Sequence, residues 1–133
     1  MKKKAIICDL DGTLVQNPEW DGNFETFYAN ILAGFPVEWC ELLLNSLADK
    51  VKIIFLTARD DKCKLQTEFQ LNSWFDFPYL LYMRKKGDLR EDYIIKQEYL
   101  EKLLEEYDIL FCIDDNPKNC EMFSHYIPTL KVV

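Results

Sequence analysis

The residues best suited to chemistry are carboxylates placed where apolar runs end. Asp9-Leu10-Asp11-Gly12-Thr13 sets two acids two residues apart, and Asp114-Asp115 supplies a second pair just before Asn116-Pro117. In the first pair one carboxylate can attack phosphorus while the other manages protons, for the leaving group and then for water. Acids gathered at one site repel each other without a cation, and carboxylate oxygens suit a hard ion such as Mg²⁺. Such an ion would also neutralise charge on phosphoryl oxygens. Either pair alone reads equally well as helix caps or turn formers. Both pairs at strand ends, with Thr57 and Lys96 between them in the chain, favour a metal-assisted phosphoryl-transfer site.

For these groups to meet, the chain must bring distant segments to one edge. Lys4 to Cys8, Val51 to Leu56, Tyr79 to Met83, Ile109 to Ile113 and Thr129 to Val133 read as strands. Between them, helical spacing covers Phe24 to Phe35, Pro36 to Ala48, Asp61 to Phe75, Leu89 to Tyr107 and Lys118 to Ser124. Gly34 is expected to stop the first helix, Pro36 to open the second, and Asp88 with Glu91 to form a capping box. Strands alternating with helices predict an α/β fold, a doubly wound three-layer Rossmann-like core around a five-stranded parallel sheet. Sites in such sheets lie at the carboxyl ends of the strands near the topological switch point. The polar clusters Asp9 and Asp11, Thr57 and Arg59, Arg84, and Asp114 and Asp115 all follow predicted strands. About forty residues separate the first acidic pair from Thr57, and about forty more separate Thr57 from Lys96. Predicted helices, strand and loop fill both gaps, which leaves no room for a large cap domain. An open site suits a bulky substrate unless an oligomer supplies a lid.

Composition narrows the class further. The 133 residues, 49% of them hydrophobic, suit one compact domain over 1–133 with a real core. A net charge of −7 argues against gripping nucleic acid by bulk charge, but not against holding one terminal phosphate. Five cysteines without C-x-x-C spacing fit a reducing, cytoplasmic setting better than a disulfide frame or a zinc site. The apolar run after Lys2 to Lys4 is cut short by Asp9, so neither a signal peptide nor a membrane association is expected. Arg84, Lys85, Lys86, Arg90 and Lys96 form a basic stretch in an acidic chain. Arg84 and Lys96 are expected to face phosphate, and Lys85 and Lys86 to face solvent. Trp20 and Phe24 could stack on a base, although such residues more often cover a core. His125, the only histidine, reads as a helix-end residue.

These residues together carry a recognisable pattern. Asp9-Leu10-Asp11-Gly12-Thr13-Leu14 resembles the first motif of the haloacid dehalogenase (HAD) superfamily. Thr57 is similar to its second motif, Lys96 to its third, and Asp114-Asp115 to its fourth. The resemblance implies a phosphatase with Asp9 as nucleophile, Asp11 as acid and base, and Thr57 and Lys96 on the phosphoryl oxygens. It also implies Mg²⁺ held by Asp9, Asp11 (through its backbone carbonyl), Asp114 and Asp115. More narrowly, Thr57-Ala58-Arg59, the segment Arg84 to Asp92, Lys96 and Ile113-Asp114-Asp115 resemble the 3′-phosphatase domain of phage-type polynucleotide kinase/phosphatases. That likeness implies substrate-binding roles for Arg59, Arg84 and Asp92, and a phosphorylated DNA or RNA 3′ end as substrate. Two departures stand out. No G-x-x-x-x-G-K-[ST] motif is present, so a phosphatase without a kinase half is expected. No Lys or Arg lies between Lys4 and Lys50, so the loop after Leu14 lacks the basic residue of the phage enzymes.

Three other readings fit parts of the sequence: a phosphatase of small metabolites or nucleotides, a receiver-like signalling domain, and a non-catalytic binding module. A receiver would need its acceptor Asp after the third strand, where this chain has Arg84.

Overall fold

The computed structural model describes residues 1–18 and 22–133. Trp20, read above as a possible stacking residue, lies outside them. The elements run in the order β1 (Lys3–Cys8), β2 (Val15–Gln16), α1 (Phe24–Ala29), β3 (Phe35–Pro36), α2 (Glu38–Leu47), β4 (Lys52–Asp60), α3 (Lys64–Trp74), β5 (Tyr79–Arg84), α4 (Asp92–Glu106), β6 (Tyr107–Asp114), α5 (Pro117–Ser124) and β7 (Thr129–Lys131). Single 3-10 turns cover Ile31–Ala33 and Asp61–Cys63.

Five strands form one parallel sheet in the order β5-β4-β1-β6-β7. β1 lies in the middle because both of its faces are apolar: Ala5, Ile6, Ile7 and Cys8 are all buried. Its register pairs Cys8 with Phe55 on one side and Ile113 on the other. The residues that follow in each strand therefore leave the sheet side by side. One face packs α2 and α3 through Cys40, Leu44 and Leu71 against Ile6, Cys8, Ile53 and Phe55. The other packs α4 and α5 through Leu100, Leu103, Met122 and Phe123 against Ala5, Ile7, Ile54 and Leu56. A fully buried side chain such as Phe55 contributes roughly 1.5–3 kcal/mol over its exposed state. These two interfaces make the three-layer α/β core that the alternation of strands and helices predicts.

The segment between the first acidic pair and β4 differs from expectation. The helix predicted over Phe24 to Phe35 ends at Ala29 and gives way to the Ile31–Ala33 turn. Pro36 does not open a helix; it pairs with Val15 in a two-stranded antiparallel ribbon. Gly34 is the reason the ribbon closes, since a Cβ there would lie 2.7 Å from Val15 and 2.8 Å from Asn17. Helical periodicity was a poor guide because this segment folds back on the loop after β1 instead of crossing the sheet.

The capping box expected from Asp88 and Glu91 is absent. Glu91 occupies the N-cap of α4 without a side-chain cap bond and pairs with Lys118 at 3.2 Å. Asp88 instead accepts from the backbone and guanidinium of Arg90. Arg84 enforces that alternative by donating to the carbonyls of Asp88 and Arg90, which bends the segment before the helix starts. α5 starts one residue earlier than expected: Asn116 caps the Lys118 and Asn119 amides, with Pro117 in the first turn. All five cysteines are buried and unpaired. Among the described residues no helix is long and apolar enough to cross a membrane.

Candidate active site

β1 ends at Cys8, and the Asp9 amide continues the ladder by donating to Ile113 at 3.0 Å. That bond fixes Asp9 beside Asp114, the last residue of β6. Both side chains meet Lys96, which α4 projects from the layer above: its Nζ donates to Asp9 Oδ1 at 2.9 Å and to Asp114 Oδ2 at 2.8 Å. Asp92, one helical turn earlier, lies 3.6 Å from the same ammonium. Lys96 is 1% exposed, so its charge is neutralised by these acids and not by water.

The loop after β1 turns sharply at Gly12, whose φ is 83°. A Cβ at Gly12 would collide with the Asp115 carboxylate, so glycine lets the two acidic segments close on each other. Thr13 stands between them, donating to Asp9 Oδ2 at 3.2 Å and lying 3.4 Å from Asp115 Oδ1. Carboxylate oxygens of Asp9, Asp114 and Asp115 all come within 4.8 Å of one another.

One ammonium cannot balance this many buried acids. Burial pushes the Asp9 carboxyl well above its usual range; Lys96 opposes that shift and Asp114 adds to it. Burial by itself would lower Lys96, yet Asp9, Asp114 and Asp92 hold it well above its usual range. The physical picture is a fixed cation among acids that still carry excess negative charge. A divalent ion fits that deficit, and the all-oxygen donor set suits Mg²⁺. Asp92 Oδ1 and Asn119 Oδ1 nearby are buried without a protein donor among the described residues, acceptors that water on such an ion could satisfy.

Asp11 belongs to a second set of contacts. Its carboxylate takes two parallel bonds from the Arg59 guanidinium, Nε to Oδ2 at 2.9 Å and Nη2 to Oδ1 at 2.7 Å. Asn17 adds a third at 2.7 Å. Arg59 is only 2% exposed, and its Nη1 donates to Thr67 at 3.1 Å and Gln70 at 3.0 Å on α3. Thr57, also buried, accepts from the Arg59 amide at 3.1 Å. Arg84 binds the Ala58 carbonyl through Nε, tying β5 to the end of β4.

The predicted residues therefore form two linked groups. Asp9, Lys96, Asp114, Asp115 and Asp92 make one, and Asp11 with Arg59 makes the other, joined through the loop at Gly12. The Arg59 and Arg84 guanidiniums make the bonds just described to protein groups. Sequence reasoning missed Asn119, which donates to Asp92 at 2.7 Å and to Asp114 at 3.3 Å. It also missed Thr67, Gln70 and Asn17. The only signal for Asn119 was a poor helix former three residues after an Asn-Pro cap.

A cleft of ≈ 310 Å³ opens beside Asp11, lined also by Asn17, Phe24, Phe27, Tyr28 and Ala58. A broader groove lies between α4 and α5, away from the Asp9 cluster, along Tyr93, Gln97 and Tyr126.

Comparison with known proteins agrees with this geometry. Chains from the Pnkp1/Rnl/Hen1 RNA repair complex and from a Pnkp1/Rnl/Hen1 complex each match with a TM-score of 0.86 and 29% identity. The matches cover 98% of this chain but 42% and 45% of those chains, so it spans less than half of their length. No curated protein matches it in sequence. The family model described as the polynucleotide kinase PNKP phosphatase domain matches residues 3–132. The chain belongs to that family and is a HAD-type phosphatase.

Proposed function

We propose that residues 1–133 act as one phosphatase unit that removes the 3′-phosphate from polynucleotide ends through an aspartyl-phosphate at Asp9, with Mg²⁺ bound. The observation that carries this reading is the Lys96 bridge between Asp9 and Asp114 within a three-carboxylate cluster. It supports the reading because a carboxylate suited to attack, a cation and a metal-type donor set meet at adjacent strand ends. Mg²⁺, held by Asp9, Asp114, Asp115 and the backbone carbonyl of Asp11, would supply charge neutralisation at the phosphoryl oxygens.

In this mechanism a carboxylate oxygen of Asp9 attacks phosphorus in line, and the bond to the leaving oxygen breaks. Asp11 gives that oxygen a proton and later takes one from the water that hydrolyses the acyl phosphate. Arg59 and Asn17 hold Asp11 as a carboxylate beside the site, and Asp11 must turn out of that fork to carry a proton to or from the reacting oxygen. Thr57 and Lys96 stabilise charge on the transferring group, since phosphoryl transfer depends mainly on positioning and electrostatics. Asp92 and Asn119 hold Lys96 and Asp114 in place. Four of the five Arg59 N–H donors are engaged with protein. The remaining one on Nη2, together with Arg84, is assigned to substrate phosphate.

The test is phosphate release from oligonucleotides phosphorylated at the 3′ or the 5′ end and from sugar phosphates, with Mg²⁺ or with chelator. The expected result is Mg²⁺-dependent release from the 3′ end ahead of the others. Equal turnover of sugar phosphates would instead favour a small-metabolite phosphatase.

A further inference from the structure

The cleft beside Asp11 is the side from which a leaving group must depart. In the proposed mechanism Asp11 protonates the bridging oxygen, so the group attached to that oxygen lies in the space that Asp11 lines. That space measures ≈ 310 Å³ and is walled by Phe24, Phe27 and Tyr28. Its size is at the small end of ligand pockets, where about 300–1,000 Å³ is usual. It suits one nucleoside rather than a run of nucleotides.

The walls are held from behind. Phe27 and Tyr28 pack on Ile31, Cys63 and Met83 and meet edge to face, with centroids 5.4 Å apart. The Tyr28 hydroxyl accepts from the Asp60 amide at 3.2 Å, and the Lys62 ammonium lies 4.3 Å from its ring centroid. Charge is scarce at the cleft itself. Arg59 is its only basic residue among the described ones, and that guanidinium is bound to Asp11, Thr67 and Gln70. Nearby, the chain adds only Lys62, whose ammonium is held over the Tyr28 ring, since no Lys or Arg occurs between Lys4 and Lys50. Rings with one Arg59 N–H to spare for the terminal phosphate, and Lys62 engaged over Tyr28, select a flat, uncharged group and offer little to an interior phosphate.

We infer that this cleft binds the terminal nucleoside of the substrate, with its base stacked against Phe27 and Tyr28. The inference rests on the 3′-phosphatase reading and adds what recognises the end. Recognition stops at one nucleoside and owes little to the phosphate backbone. A nucleoside 3′-monophosphate is then nearly as good a substrate as a 3′-phosphorylated oligonucleotide. Salt should weaken binding of the two to a similar, small degree, since few backbone phosphates are neutralised.

The experiment measures kcat/KM for a 3′-phosphorylated oligonucleotide, a nucleoside 3′-monophosphate and glycerol phosphate. It uses the wild type, Phe27→Ala, and Phe27→Leu, which keeps the packing on Ile31 and Met83 but loses the flat ring. The quantity read is the ratio of nucleotide to glycerol phosphate kcat/KM, in which any loss of folded enzyme cancels. Loss of one base stack should lower that ratio about tenfold in both variants. An unchanged ratio in both overturns the inference while the phosphatase reading stands. A wild-type preference for the oligonucleotide over the monophosphate of about a hundredfold or more, falling steeply with salt, also overturns it. Wild-type enzyme that hydrolyses glycerol phosphate but neither nucleotide overturns the 3′-end reading, and the inference with it.

Discussion

Arg59 and Asp11, 48 residues apart in the chain, meet through two parallel hydrogen bonds of 2.9 and 2.7 Å. Fork-to-carboxylate geometry of this kind fixes both distance and orientation, and an ammonium cannot reproduce it. Behind it, Gln70 donates to the Ile31 carbonyl at 2.8 Å, so the same contact anchors the turn that follows α1. The proton-handling acid and the wall of the aromatic cleft thus share one support.

Arg59→Lys is therefore expected to be far from conservative. The Asp11 carboxylate loses its fork and Thr67 and Gln70 lose a donor, so kcat should fall about a hundredfold, as when a positioning contact is lost. The fold should weaken by about 2 kcal/mol, because Asp11 is partly exposed and a fully buried pair would cost more. Steady-state kinetics and urea denaturation check the two figures. A variant with wild-type kcat would show that Asp11 needs no such orientation.

Asp9→Asn should abolish turnover, leaving about 10⁻⁴ of wild-type kcat or less, because the amide cannot form the acyl phosphate. The same change should raise the melting temperature in the presence of chelator. It removes one buried charge from a cluster with too few cations, while its amide oxygen can still accept from Lys96. A calorimetric scan in chelator tests this, and a lower melting temperature would contradict the charge argument.

Mg²⁺ itself should stabilise the folded chain, by about 2.7 kcal/mol when present at a hundred times its dissociation constant. Asp114→Asn should remove most of that gain, whatever substrate is present. Thermal melts with and without Mg²⁺ on both proteins decide it. An equal Mg²⁺ shift in the variant would place the ion elsewhere.

Gly12→Ala should disturb the site more than the core. The residue has positive φ, and its new methyl would strike the Asp115 carboxylate, which would have to move. Backbone strain of this kind costs about 1–3 kcal/mol. Because the displaced group belongs to the metal cluster, the Mg²⁺ concentration needed for half-maximal activity should rise. A Mg²⁺ titration of activity reads this directly.

Alkaline pH should weaken the fold through the buried thiols. Burial pushes Cys112 up to about 12, with Thr129 opposing the shift. An exposed thiol titrates near 9, so above that pH the unfolded chain loses a proton that the folded chain keeps. Stability present below about 9 is then lost as pH climbs towards about 12, with Cys112 contributing a slope of up to about 1.4 kcal/mol per pH unit. Urea midpoints between pH 8 and pH 10.5 should fall less steeply for Cys112→Ala than for the wild type.

What could be read from the sequence was local. β1 and β6 are apolar runs ended by acids, so the strand-end positions of Asp9 and Asp114 followed; Thr57, expected just after its strand, lies within β4, which runs on past an irregular register to Asp60. The i, i+4 relation of Asp92 and Lys96 is equally short-range. What only the tertiary structure decided is which polar groups face each other across long separations. Thr67, Gln70 and Asn119 were missed because sequence does not distinguish a buried polar residue with a distant partner from an exposed one. Asp88 matched a capping box, yet Arg84 and Arg90 outbid the helix terminus for that segment by offering stronger, charged hydrogen bonds. Pro36 matched a helix start, but the Gly34 contact with Val15 and Asn17 belongs to a ribbon made with the strand that follows the loop at Gly12, a partner distant in the chain.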